Sequence, residues 1–174
     1  MAKKKKSIAK TMPMRVLEQK GIPHEVHQHA HKQYTAEGVA EDLGIPVAQV
    51  VKAMIVQRSD RRFALVVIPG DRRLSLKKVS TALGDKKVTL ALERDVQRVT
   101  GYQVGAVSVL GFRRPDVTAY VDERILEQET VIISAGRPDA GLALSPDDLL
   151  RALEGAQLGD FCDEGYLPPK VGGD

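Results

Sequence analysis

The apolar and polar positions divide this chain into short segments, each with its own period. Residues 11–21, "TMPMRVLEQKG", read as a helix with Thr11 at the cap and Gly21 as the stop. Residues 24–29, "HEVHQH", alternate as a strand does. In "TAEGVAEDLG", Ala36, Val39, Ala40 and Leu43 share one helical face before Gly44 ends it. "VVKAMIV" (50–56) and "RFALVVI" (62–68) are apolar, β-branched runs bounded by polar residues, so two buried strands. "PGD" follows as a turn, then "LSLKKVSTALG" as a helix closed by Gly84. "KVTLA" is a short strand, and "LERDVQRVTG" is helical. "VTAYVD" and "TVIISAG" are further strands. "SPDDLLRALEG" is the clearest helix, with Ser145 at the cap, Pro146 at the first position, Asp148 closing a capping box and Gly155 at the end.

Strands and helices interleave, but several gaps between strands are too short for a crossover helix. The pattern therefore predicts a single α/β (α+β) domain with a mixed sheet. The length, 174 residues, suits one domain with a real core, and 43% hydrophobic residues fit a globular fold. No apolar run approaches the ~20 residues of a membrane span. "MAKKKKSIAK" lacks the apolar stretch of a secretory signal. With one cysteine, Cys162, no internal disulfide forms, which fits a reducing, cytoplasmic home. The net charge is +3, and Lys3 to Lys6 exceed that excess, so the body is near neutral. Residues 1–10 are expected to be a basic flexible arm, either solvated or adding salt-sensitive affinity for nucleic acid. Residues 11–162 are expected to form the folded domain, with 163–174 a Pro/Gly-rich flexible tail. Aromatic residues are 4% and Trp is absent, so no surface stacks many bases.

Four features are candidates for chemistry. All four histidines fall in "HEVHQHAH", residues 24–31. On an extended strand His27, His29 and His31 point one way, about 7 Å apart, and share a metal only if the strand bends. The other readings are a half-exposed polar face, or one or two histidines lining a pocket without metal. Lys52 interrupts an apolar strand; it either snorkels at an edge or faces a pocket holding an anionic or oxygen-rich ligand. "TGYQVGAVSVLG" (100–111) has Gly101, Gly105 and Gly111, which allow a ligand close to backbone N–H groups but match no phosphate-loop pattern. "SAGRPDAGLALS" (134–145) links a strand to a capped helix, either as a plain connection or as the border of a site. No Ser-His-Asp set or activated cysteine is evident.

Taken in order, "VVKAMIV", "PGDRRLSLKKVSTALG", "TGYQVGAVSVLG" and "ISAGR" before a final helix resemble the YbaK/ProX prolyl-tRNA synthetase-associated editing domains. The resemblance spans residues 12–162. It implies a mostly antiparallel, barrel-like sheet with flanking helices, and a free-standing deacylase that removes a wrongly attached amino acid from tRNA without metal or other cofactor. The family's strand lysine falls on Lys52 and its loop glycine on Gly105, whose N–H would face the ester carbonyl or the attacking group. The family's first-strand tyrosine falls on His29 and a nearby histidine on His31. Tyr102, Ala106, Ser108, Ser134, Gly136 and Asp139 complete the implied substrate-binding set. Val109 stands where many members carry proline, and an acidic position falls near Gly141, with Asp139 the nearest carboxylate. Implied partners are mischarged tRNA, with cysteine or alanine on proline tRNA, and prolyl-tRNA synthetase. The alternative is a non-catalytic module that binds an aminoacyl-adenosine or nucleotide-like ligand; a metal-dependent hydrolase ranks last.

Overall fold

A computed structural model gives the architecture, which describes residues 8–165. Residues 1–7 of the expected arm and 166–174 of the expected tail lie outside the described residues. In chain order the elements are α1 (Met12–Gln19), β1 (Glu25–Gln28), α2 (Ala36–Leu43), β2 (Val51–Gln57), β3 (Phe63–Pro69), α3 (Leu76–Leu83), β4 (Thr89–Leu90), α4 (Glu93–Thr100), β5 (Thr118–Asp122), β6 (Val131–Arg137), β7 (Ala140–Leu144), α5 (Pro146–Ala152) and β8 (Gln157–Gly159).

The helices start and stop where local chemistry dictates. Thr35, Ser75 and Ser145 each accept a backbone N–H from the first turn of α2, α3 and α5. Gly44 and Gly84 end α2 and α3 in the left-handed conformation that glycine adopts without steric cost. Two expected caps differ. Thr11 occupies the cap position of α1 but makes no side-chain cap bond, and its hydroxyl is buried without a partner among the described residues. The Asp148 carboxylate takes Arg151 at 2.8 Å, so it pairs along the helix.

The strands form two sheets, and no barrel closes. One sheet runs β1-β7-β6 and is antiparallel throughout; the other runs β4-β2-β3-β5-β8. In the second, β2 pairs antiparallel with β3 and β4, while β3–β5 and β5–β8 are parallel, so the sheet is mixed as the pattern predicts. Two strands lie beyond what periodicity announces. Residues 140–144 form β7, the centre of the first sheet, where sequence reads a connection; β8 is a three-residue edge.

Burial explains the layering. Ile55, Leu65, Val67 and Val121 face Ile133, Leu142 and Leu144 in the main core between the sheets. On the opposite face of the second sheet, Val56, Val66 and Ile68 pack under Val79 and Leu83 of α3 and against Phe161. Alternation along β2 and β3 assigns successive residues to the two cores. Lys52 falls on the α3 side of its strand, at the end where that second core thins out.

Candidate active site

The two sheets touch at an isolated parallel bridge, Val50 with Ile132. Beside that bridge a cleft of about 490 Å³ opens. Its walls come from β2, from the ends of β6 and β7, from residues 33–37 and Val39 around the start of α2, and from Val104, Gly105 and Val107 of the glycine-rich loop. β2 exposes an edge here because β4 pairs only with Val56 and Gln57. The Ile55 carbonyl accepts the Ala91 N–H at 3.0 Å. By strand alternation the N–H and C=O of Ala53, two residues earlier, point to the same side, along the part of the edge that β4 leaves uncovered.

Lys52 lines this cleft and is half-buried. Its Nζ donates to the Arg72 carbonyl at 2.5 Å, in the turn after β3. Burial holds its pKa below the ordinary lysine value, opposed by the negative charges of Glu37 and Asp71. Gly105 also lines the cleft, with φ +86. A side chain there would meet Tyr34 at 3.0 Å, so only glycine suits both the conformation and the space. Among the described residues the Gly105 N–H has no acceptor.

His29 is buried against the cleft, and its Nδ1 has no partner among the described residues. Burial is the main reason its pKa falls below 6.5; Asp42 and Asp139 oppose the shift, and His27 adds to it. Ser134 lines the cleft too. Its Oγ donates to the Ala106 carbonyl at 3.1 Å and accepts the Gly136 N–H at 3.0 Å, fastening the glycine-rich loop to β6.

The remaining expected residues stand around the cleft rather than on its wall. Ala106 and Ser108 are buried inside the loop, where the Ser108 Oγ accepts the Leu110 N–H at 3.4 Å. The Tyr102 hydroxyl donates to the Leu110 carbonyl at 2.7 Å, and burial raises its pKa. Gly136, at φ +88, lies over the Tyr102 ring; an added Cβ would come within 2.7 Å of it. Asp139 forms a two-pronged pair with Arg137 at 2.5 and 2.7 Å, which holds its carboxyl below the usual range. Its backbone carbonyl accepts the His29 N–H at 2.8 Å. β1 ends at Gln28 and the chain bends at 30–31, so His31 leaves the strand with 81% of its side chain exposed, 3.7 Å from Asp42.

The histidines thus occupy separate surroundings. His24 Nδ1 is 2.9 Å from the Ile22 carbonyl, and His27 is 3.8 Å from Glu25. Among the described residues, no three His, Cys, Asp or Glu side chains gather as a metal-ligating group. Cys162 is buried, its Sγ donating to Asp122 at 3.2 Å, and burial with that carboxylate pushes its thiol up to about 12. It is a poor nucleophile on that account. Val109, at the position where proline was expected, is buried in the main core and does not line the cleft.

Two wall features escaped the sequence reading. Glu37, in the first turn of α2, and Tyr34, beside Gly105, both line the cleft. The pattern of α2 marks Glu37 only as a polar position, and nothing local distinguishes it from a solvated one. Much of the rest of the lining is apolar, with Ile55, Leu90, Ala91, Val96, Val104 and Val107.

A lysine at an open strand edge, a glycine-turned loop with a free N–H, and an apolar wall define a small α+β domain shaped to hold one compact polar group with an apolar appendage. Residues 30–152 match the model of the aminoacyl-tRNA editing domain, and the chain belongs to that family. It is 33% identical over 154 residues to EbsC of Enterococcus faecalis, provisionally named a Cys-tRNA(Pro)/Cys-tRNA(Cys) deacylase; the match covers 87% of this chain and 93% of that one. A crystal structure provisionally described as a trans-editing enzyme for prolyl tRNA synthetase superposes with a TM-score of 0.79 at 29% identity, over 87% of this chain and 95% of the other. The proline–tRNA ligase of Thiobacillus denitrificans is 27% identical over 155 residues; the match covers 84% of this chain but 27% of the ligase. The family and fold implied by the sequence resemblance are therefore those of this chain. Among the described residues no helix is long and apolar enough to cross a membrane.

Proposed function

We propose that this chain is a free-standing aminoacyl-tRNA deacylase that releases a small, wrongly attached amino acid, cysteine or alanine in type, from proline tRNA. The observation that carries this reading is that Lys52 and Gly105, whose N–H makes no hydrogen bond among the described residues, line one cleft at the open edge of β2. Ester cleavage needs a placed nucleophile and donors for the oxygen that gains charge. The Gly105 N–H serves as a donor to the ester carbonyl oxygen, and the Lys52 ammonium adds positive charge beside it. A bound water or a group of the substrate itself attacks the carbonyl carbon; the carbon–oxygen bond to the terminal ribose breaks, and the ribose oxygen takes the proton that the attacking group loses. The products are an uncharged tRNA and the amino acid, free after attack by water or cyclised after attack by its own side chain. The aminoacyl ester is labile, so positioning and modest electrostatics suffice without a strong base. In this reading no metal takes part, because the four histidines serve separate surroundings. His29, with its free Nδ1, and Ser134 shape the pocket that meets the substrate. His31, Tyr102, Ala106, Ser108, Gly136 and Asp139 hold the loop and hairpin that carry that pocket.

The same reading divides the chain into a basic arm over residues 1–10, an editing domain over 11–162 and a tail over 163–174. The arm adds salt-sensitive affinity for tRNA. Prolyl-tRNA synthetase is the source of the substrate, and the cytoplasm the place of action. The test is release of alanine, cysteine and serine from proline tRNA by the wild type and by Lys52→Ala. Release that depends on Lys52 supports the reading and identifies the amino acid. No release across the panel overturns it.

A further inference from the structure

We infer that Glu37 anchors the α-ammonium of the aminoacyl group, so that the cleft selects amino acids with a free amine. This rests on the deacylase reading above. An aminoacyl ester carries three groups on or next to one carbon: the carbonyl, the ammonium and the side chain. Lys52 and the Gly105 N–H suit the carbonyl, and the apolar wall suits the side chain. The ammonium needs an acceptor, and Glu37 is the one carboxylate among the residues that line the cleft.

Glu37 is also the uncommitted charge there. Arg137 is already paired with Asp139, and the Lys52 ammonium with the Arg72 carbonyl. Among the described residues Glu37 makes no hydrogen bond and no ion pair. Its charge nonetheless reaches Lys52. Both line the same cleft with no hydrogen bond or ion pair between them, so the Glu37 carboxylate is open to a ligand that enters there. A carboxylate at the wall of a half-buried pocket gains most when a cation arrives to pair with it.

The position is held firmly. The Thr35 Oγ1 accepts the Gly38 N–H at 3.0 Å and fixes the first turn of α2. Asp42, one helix turn further on, accepts the His31 N–H at 3.2 Å and the Gln33 Nε2 at 3.1 Å. The Gln33 side chain in turn lies over Gly38. The loop that delivers Glu37 is thus braced from both ends. An acid in a first helical turn also complements the helix dipole. That role alone predicts a small loss of stability on substitution and no effect on substrate choice.

The experiment uses the full chain with alanyl-, cysteinyl- and seryl-tRNA of the proline type, each with a free and with an N-acetylated amine. Wild type, Glu37→Gln, Glu37→Asp and Lys52→Ala are compared. The wild type is expected to favour the free amine about tenfold or more in kcat/KM. Glu37→Gln is expected to raise KM for the free-amine substrate about tenfold, leaving kcat and the N-acetyl substrate nearly unchanged. Glu37→Asp, which keeps the charge but withdraws it by one methylene, should retain part of the preference and guards against a folding defect in the amide variant. Equal losses on both substrates would place Glu37 on another part of the tRNA end, such as a ribose hydroxyl, and overturn the inference. So would an unchanged preference in Glu37→Gln while release still depends on Lys52; the deacylase reading then survives. A wild type that releases nothing removes both.

Discussion

Lys52 and Arg72 are joined across the end of β2 by a side-chain-to-backbone hydrogen bond, Nζ to carbonyl oxygen at 2.5 Å. The bond fixes where the ammonium sits at the edge of the cleft, and it ties the turn after β3 to the strand that bears the lysine. Lys52→Met keeps the length of the stem and removes only the charge and donors. Loss of one donor to a developing oxyanion typically lowers kcat by about 10²–10³. A drop of that order in single-turnover deacylation, with an unfolding midpoint close to wild type, is the expected result.

The turn itself depends on Gly70. Its N–H donates to the Val50 carbonyl at 2.6 Å, and an added Cβ would lie 2.7 Å from the Val47 carbonyl oxygen and 2.8 Å from that of Val50. Both obstacles are backbone, which does not rotate aside. Gly70→Ala should therefore cost about 1–3 kcal/mol, as overpacking does. Thermal unfolding would register it as a fall of several degrees.

Acidification should loosen the protein through His29. Burial lowers its folded pKa below the ordinary histidine value of 6.5, so the unfolded chain binds the proton more readily. The stability His29 contributes is fully present above pH 6.5 and is lost as pH falls through the folded value. His29→Phe removes that dependence. Denaturant midpoints between pH 7.5 and pH 5 should accordingly slope less in the variant than in the wild type.

Tyr102 separates support from contact. Its hydroxyl holds the Leu110 carbonyl, and its ring fills the space beside Gly136, but it does not line the cleft. Tyr102→Phe should cost about 1 kcal/mol, the usual worth of one such hydrogen bond. Its kcat/KM for deacylation should stay within a few-fold of wild type.

The parts of this molecule that follow local rules were readable in advance. Gly44 and Gly84 stop their helices because a left-handed residue must stand there, and Ser145 caps α5 for the reason its sequence suggests. Lys52 drew notice because an ammonium in an apolar strand demands a reason. β7 stayed hidden because "AGLAL" is buried on both faces and so shows no alternation, and its small residues carry little strand preference. Glu37 stayed hidden for a different cause. A carboxylate on a short helix is ordinarily solvated, and Glu37 joins the cleft only because that helix end packs on Val50 and Gly70, with Tyr34 against Gly105. The histidine cluster misled in the opposite direction: adjacency in sequence did not survive the bend at residues 30–31, which puts His31 in solvent while His29 goes under cover.

The bridge between Val50 and Ile132 lies at the foot of the cleft, and both residues line it. There the two walls are stitched by backbone, on top of the apolar core that already joins their sheets. In the deacylase reading, the aliphatic side chains at this seam help set the room left for the amino acid, while Lys52 and Gly105 belong to other parts of the wall. What such a pocket accepts and how it acts would then rest on different residues, and drift in the first need not disturb the second.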